Sequence, residues 1–317
     1  MNDLMEEVRV IASRELNAAI TEIMPCGNHE LNRNLVYKVS ADSVSYIFKV
    51  FYKKQKIDRE MIVIPLFAKD NPLKILGNGV MENGYEWLMF NYIEGWLLDH
   101  IIDDLDLDQL RAVFYQIGKR TAQLHSTQTF DYFGDWQIEK QSSLLSYKAF
   151  IIEDCERMIE NILSLNLVGN ECLKLAIDKL RATYDDIRRL DVGRLCHRDL
   201  DGRNILIKVS LTEGLKLEAF LDFEKCVVFN EYVDIIGFYR RYFIAQPKLI
   251  EPFFKGYREI LEIDDSFNKE LKFNLYRAGI DICSWAMHVS EAFFEDTINY
   301  LEKLEAFDQN MDELYMK

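Results

Sequence analysis

The sequence lacks several signatures, and each absence removes a class of function. No G-x-x-x-x-G-K-[ST] occurs, so a P-loop fold is not expected. Only five histidines are present, at positions 29, 100, 125, 197 and 288, and none form H-x-x-x-H. His197-x-Asp199 alone makes a thin zinc site, which argues against a metal hydrolase. The six cysteines, Cys26, Cys155, Cys172, Cys196, Cys226 and Cys283, are scattered without a C-x-x-C pair. They read as reduced thiols rather than a disulfide framework. Glycine (14) and proline (5) are few among 317 residues, which argues against linkers and low-complexity arms. Long apolar runs are missing too. Met61 to Ala68 is among the longest, so no membrane span is expected. The acidic start, Met1 to Glu7, has no apolar signal-peptide core, and a cytoplasmic location is expected.

What is present is acidity. The formal net charge is −15, which repels a phosphate backbone and makes nucleic acid an unexpected partner. Residues 1–93 carry 11 basic and 12 acidic residues, whereas residues 94–317 carry 27 and 41. The later part therefore holds a net −14, suited to a cationic partner or simply to solubility.

Hydrophobic patterning changes along the chain. Ile20 to Met24, Leu35 to Val39 and Tyr46 to Phe51 read as strands, separated by Gly27-Asn28 and by Ala41-Asp42-Ser43. A helix capped by Asp58 follows, then strands around Leu73 to Val80 and Glu86 to Tyr92. Past Gly95 the helical period dominates, over Asp106 to His125, Ser143 to Leu163 and Glu171 to Leu190. A strand-rich segment interrupts at Leu195 to Phe223, and Glu231 to Lys317 is aromatic-rich and mainly helical. The expected organisation is a sheet-rich part over 1–93 and a helical part over 94–317, with a ligand cleft between them.

Polar residues crowd into His197-Arg198-Asp199-Leu200-Asp201-Gly202-Arg203-Asn204, between two apolar runs, and Phe220-Leu221-Asp222-Phe223 follows. Phosphoryl transfer needs a carboxylate that holds the acceptor hydroxyl and hard oxygen ligands that hold Mg²⁺ against nucleotide phosphates. Asp199 suits the first task, and Asn204 and Asp222 suit the second. A phosphate clamp needs a cation, and Lys49 lies inside an apolar strand where a lone charge would be costly. Glu60, on the next expected helix, is its natural partner. Main-chain N–H groups near Gly27 and Asn28 add a weak phosphate signal. Glu153, Asp154, Glu156 and Glu160 fit a solvated helix face better than an acidic pocket.

In order, these residues resemble the aminoglycoside phosphotransferase and choline kinase branch of the protein-kinase-like fold, over nearly the whole length. The resemblance implies an α+β fold of two lobes, a small antiparallel-sheet N-lobe and a larger mainly helical C-lobe. It implies that Asp199 is the catalytic base, that Asn204 and Asp222 hold Mg²⁺, and that Lys49, held by Glu60, contacts the α- and β-phosphates of ATP or GTP. Main-chain groups of Asn91 and Ile93 would bind the purine with Phe90 behind it. Arg203 would help neutralise the transferred phosphate. His197 and Asp234 would support the loop. The family often has Gly or Asn after the loop histidine, where this chain has Arg198, and the usual Gly-Asp-Pro before the bracing Asp is replaced by Phe229-Asn230-Glu231. The implied acceptor is a small, cationic molecule, an aminoglycoside-like antibiotic or an amino alcohol or sugar. A protein kinase is the nearest rival, but eleven residues between Asp222 and Asp234 leave no clear activation segment. A non-catalytic nucleotide-binding module is the other alternative.

Overall fold

The computed structural model describes every residue except 1, 28–33, 54–55, 136–140, 166–170, 211, 213, 308–309 and 317. In chain order the described helices are α1 (Asn2–Leu16), α2 (Ile57–Leu66), α3 (Leu98–Ile101), α4 (Leu107–Ser126), α5 (Tyr147–Ser164), α6 (Glu171–Ala182), α7 (Tyr232–Phe238), α8 (Ile250–Arg258), α9 (Ser266–Ala286) and α10 (Glu291–Ala306). The strands are β1 (Ile20–Cys26), β2 (Leu35–Ala41), β3 (Val44–Val50), β4 (Ile75–Val80), β5 (Glu86–Asn91), β6 (Trp96–Leu97), β7 (Thr129–Phe130), β8 (Tyr132–Gly134), β9 (Gln141–Ser143), β10 (Gly193–Cys196), β11 (Ile205–Ser210), β12 (Gly214–Phe220) and β13 (Val227–Phe229). They form two compact units. One comprises Met1–Ile101 with Gly202–Cys226, and the other Ile102–Asp201 with Val227–Lys317.

The first unit is built on an antiparallel sheet of order β1-β2-β3-β5-β4. Strand β2 alternates, burying Tyr37, Val39 and Ala41 on one face. Asp42 and Ser43 join it to β3 with φ of 48° and 66°, the left-handed pair that a two-residue hairpin needs. Helix α1 covers this face with Val8, Ile11 and Ala12, against Phe48, Trp87 and Met89. Sequence patterning alone reads this N-terminal part as mostly strand. The helix is missed there because its buried residues, Val8, Ile11 and Ala12, are few and stand among charged ones. Asp58 is not the cap of α2. The cap is Lys56, without a side-chain bond, and Asp58 sits in the first turn, where a carboxylate suits the helix dipole. A second sheet, β12-β11-β6, brings the segment 202–226 into this unit, an arrangement that a single cut after residue 93 does not describe. Gly95 permits the pairing of β6 with β11, since a Cβ there would meet the Ile207 carbonyl oxygen at 2.9 Å.

The second unit carries a small sheet, β7-β10-β13-β8-β9, and most of the helices. Helix α4 starts at a capping box in which Asp106 and Gln109 satisfy each other's main-chain N–H. It crosses α8 at backbone contact. A Cβ on Gly118 would lie 1.9 Å from the Phe253 carbonyl oxygen, and one on Gly256 2.0 Å from that of Tyr115. The helix expected over Glu171 to Leu190 ends at Ala182. The Thr183 hydroxyl bonds back to the Leu180 carbonyl and a 3₁₀ turn, Tyr184–Asp186, follows. No helix among the described residues is long and apolar enough to cross a membrane.

Candidate active site

In the first unit, β3 delivers Lys49 into a buried position, 5 % exposed, and α2 delivers Glu60, 1 % exposed. Lys49 Nζ donates to Glu60 Oε1 at 2.5 Å and to Asp222 Oδ1 at 2.7 Å, and lies 3.6 Å from Glu224 Oε2. One ammonium thus faces three carboxylates. Burial works against its charge, but Asp222, Glu60 and Glu224 outweigh burial and raise the Lys49 pKa above its ordinary value. For Glu60 burial dominates and pushes the carboxyl up to about 7, against the pull of Lys49 and with repulsion from Asp222 and Glu224.

Asp222 follows β12 in the left-handed conformation, φ 63° and ψ 66°. Its turn is pinned from several sides. Phe223 packs edge-on to Phe67, Asn71 brackets Phe220 through both its N–H and its carbonyl, and Arg59 Nη1 donates to the Glu224 carbonyl at 3.2 Å. Asn34, at the start of β2, donates to the Glu224 carboxylate and accepts from the Tyr52 N–H. Asn204 is buried at the same end of the β11–β12 hairpin as Asp222, since its carbonyl accepts from the Leu221 N–H at 2.9 Å.

The purine-side candidates also lie here. Phe90 is buried on β5, and Asn91 uses its side chain to clamp the Pro72 carbonyl and the Lys74 N–H. Ile93 makes no main-chain hydrogen bond to another described residue. Its backbone is therefore available to a ligand. Gly27 is exposed at φ 76°, Arg203 is exposed in the 3₁₀ turn Gly202–Asn204, and Asn28 lies outside the described residues.

In the second unit, β10 leads into the loop that bears Asp199. Asp234, on α7 and 2 % exposed, accepts from the His197 N–H at 2.8 Å and the Arg198 N–H at 2.7 Å. Two successive N–H groups converge on one carboxylate, and Arg198 adopts φ 63° in doing so. His125 Nε2 meets the same carboxylate at 3.0 Å, and its Nδ1 meets the Tyr257 hydroxyl at 2.8 Å. Burial alone would raise the Asp234 carboxyl. The bond and charge of His125, with His197, hold it below its usual range. The His197 ring accepts the Asp199 N–H through Nδ1 at 3.3 Å, so this nitrogen orients the loop main chain.

Glu224, Asn34, His125 and Tyr257 have no site role in the sequence reading. Glu224 had a signal, a second acid two residues after Asp222. Asn34, His125 and Tyr257 had none, because their partners lie 190, 109 and 132 residues away.

Residues 27–266 match the model of the phosphotransferase enzyme family (APH). A search of curated proteins gave no match. Among solved structures, a thermostable mutant of aminoglycoside phosphotransferase APH(4)-Ia, in ternary complex with AMP-PNP and hygromycin B, is 14 % identical with a TM-score of 0.69, covering 95 % of this chain and 97 % of its own. The GDP complex of aminoglycoside 2'-phosphotransferase-IIIa is 14 % identical with a TM-score of 0.68, covering 97 % and 100 %. A putative fructosamine-3-kinase from Haemophilus somnus 129PT is 14 % identical with a TM-score of 0.61, covering 95 % and 97 %. At such identity these structures establish the kinase-like fold, and the family match establishes that the chain belongs to the phosphotransferase enzyme family.

Proposed function

We propose that this protein transfers the γ-phosphate of ATP or GTP to a hydroxyl group of a small molecule. The observation that carries the reading is the buried Lys49–Glu60 pair, bonded onward to Asp222. A charge so deeply buried and so fully matched is a costly arrangement that phosphate chemistry explains. Nucleotides in the similar structures, AMP-PNP and GDP, agree with a nucleotide donor.

In this reading the Asp199 carboxylate accepts a hydrogen bond from the acceptor hydroxyl and takes its proton. The acceptor oxygen bonds to the γ-phosphorus as the bond from phosphorus to the β–γ bridging oxygen breaks, and that electron pair stays on the nucleoside diphosphate. Lys49 exchanges a carboxylate contact for the α- and β-phosphates. Arg203 contributes positive charge toward the transferred group. Ile93 offers its main-chain N–H and carbonyl to the purine, beside Asn91 and with Phe90 behind, a contact open to adenine and guanine alike. The hard oxygens of Asp222 and Asn204 suit Mg²⁺, and the surplus of three carboxylates over one ammonium fits a divalent cation, which when bound would neutralise phosphate charge.

A small acceptor is favoured over a protein substrate because residues 223–233 are taken up by a 3₁₀ turn, β13 and the start of α7, which leaves no activation segment. An aminoglycoside-like antibiotic and an amino alcohol or sugar both fall within this class. The test is nucleotide consumption with Mg²⁺ over a panel of hydroxyl compounds. Asp199→Asn should lower kcat by about 10²–10⁴-fold and keep nucleotide affinity, as expected for loss of a general base. An Asp199→Asn enzyme with full turnover would remove Asp199 from that role.

A further inference from the structure

Arg188 lies between the 3₁₀ turn Tyr184–Asp186 and β10, and its guanidinium touches three successive residues of another element. Nη2 donates to Asn230 Oδ1 at 3.0 Å and to Glu231 Oε1 at 2.8 Å, and the guanidinium carbon stands over the Tyr232 ring, 3.9 Å from its centroid. These three residues open α7. Asn230 Oδ1 also accepts the Tyr232 N–H at 3.0 Å, and the Glu231 carbonyl accepts the Asp234 N–H at 3.3 Å. Asp234, which receives the His197 and Arg198 N–H groups, therefore sits in the turn that Arg188 grips, about 3 Å beyond Tyr232 along the helix axis.

Glu231 is the N-cap residue of α7, yet its side chain makes no cap bond. A carboxylate at this place ordinarily faces the helix N–H groups. Here it turns to two arginines. Oε1 takes Arg188, and Oε2 lies 3.6 Å from Arg194 Nε. Arg194, on β10, donates in turn to the His125 carbonyl at 3.3 Å, and His125 is the residue that meets Asp234 from α4. Both approaches to Asp234, its own helix and the end of α4, are thus tied to one buried carboxylate. Glu270 on α9 faces Arg188 Nε at 3.6 Å, but neither Nε nor Glu270 Oε2 has a hydrogen-bond partner among the described residues. The side-chain bonds of Arg188 go to α7 rather than to α9. Buried ion pairs add little stability over apolar packing, so stability alone does not account for the cluster. A planar, multiply bonded guanidinium supplies a fixed orientation instead.

We infer that Arg188 is a positioning residue for the loop that bears Asp199: through Asn230, Glu231 and Tyr232 it sets where α7 presents Asp234, and Asp234 holds the loop main chain. Its effect on turnover rests on the phosphotransferase reading, whereas its effect on the loop stands apart from that reading. The departure from Gly-Asp-Pro at Phe229-Asn230-Glu231 then has a reason, since the Asn230 and Glu231 side chains are the handles by which Arg188 holds the helix.

The experiment uses the full chain and two readouts. Hydrogen exchange by mass spectrometry follows residues 195–201, and initial rates follow consumption of Mg²⁺-ATP with the first alcohol that the acceptor panel identifies. Arg188→Met should raise exchange of the His197 and Arg198 N–H groups by about tenfold or more, the size of one charge-assisted hydrogen bond. At temperatures where the variant is folded it should lower kcat by about tenfold to a hundredfold, with little change in the KM for ATP, because the loop and not the nucleotide clamp is displaced. Arg188→Lys keeps a cation opposite Glu231, and the fold with it, but loses the planar group over Tyr232, so both readouts should fall between. Arg181→Met is the control. It breaks the pair with Glu156 that joins α6 to α5, and should loosen those helices while sparing the loop and kcat. A merely structural Arg188 would lower the melting temperature and leave loop exchange and kcat unchanged in the folded variants. That result, an equal loss of kcat in Arg181→Met, or unchanged exchange over 195–201 in Arg188→Lys would each overturn the inference. If the unmodified protein consumes no nucleotide with any acceptor, the phosphotransferase reading fails, and exchange over 195–201 still decides whether Arg188 holds the loop.

Discussion

Asp234→Asn tests how the loop that bears Asp199 is held. The carboxylate accepts three bonds, from the His197 and Arg198 N–H groups and from His125. An amide that keeps its oxygen at the Oδ2 position still accepts from the His197 N–H and His125 and turns its NH₂ group toward the Arg198 N–H, so one of the three bonds is lost. A hydrogen bond to a charged group contributes about 1.5–3 kcal/mol, which gives a destabilisation of about 1.5–3 kcal/mol. At roughly 2–4 °C per kcal/mol for a unit of this size, the melting temperature should fall by about 3–12 °C. The sign with pH is also fixed. A carboxyl held below its usual range stabilises the fold above the unfolded pKa of about 3.9, and this contribution is lost as pH falls through the lower folded value. Acid titration of the unmodified protein should therefore show a loss of stability that the variant lacks. Turnover should drop by about a hundredfold even at temperatures where the variant is folded, since a shift of about 1 Å at Asp199 suffices for that. Calorimetry and urea titration, paired with initial rates, make the measurement. A destabilisation below 1 kcal/mol with normal turnover would refute the brace.

Two further outcomes follow from the buried site and the helix crossing. Because Glu60 is pushed up to about 7, nucleotide KM should rise as pH falls through that value, and Glu60→Gln should abolish this dependence while weakening binding at pH 8. A KM profile with the same break in Glu60→Gln would assign the titration elsewhere. Gly118→Ala should destabilise by about 3 kcal/mol, the upper end for overpacking, because the intruded atom is a main-chain oxygen. Melting within 1 °C of the unmodified protein would contradict the close approach.

Local chemistry was readable and long-range geometry was not. The strands β2, β3 and β5 announce themselves through alternating or β-branched apolar runs, and Lys49 through the oddity of a charge inside one. Asp199, Asn204 and Asp222 stand out because polar residues interrupt apolar flanks over a short span. Helix α1 was missed because its buried residues, Val8, Ile11 and Ala12, are sparse among charges and gain meaning only against Trp87 and Phe48. His125 looked like any histidine at the end of a helix. Its role depends on α7 and α8, and spacing along the chain holds no trace of them. Asp154 and Glu156, which spacing alone places on a solvated helix face, are matched by arginines from other helices, Arg277 and Arg181.

The glycine contact between α4 and α8 has a mechanical consequence. Most packed helices are separated by a layer of side chains that can change rotamer and absorb small errors. At Gly118 and Gly256 that layer is missing, and main chain rests on main chain. Main chain has no rotamers to change, so backbone alone sets how near α8 comes to α4. The crossing is a hard stop that hands a fixed spacing to Tyr257 and His125, and through His125 to the loop carboxylate.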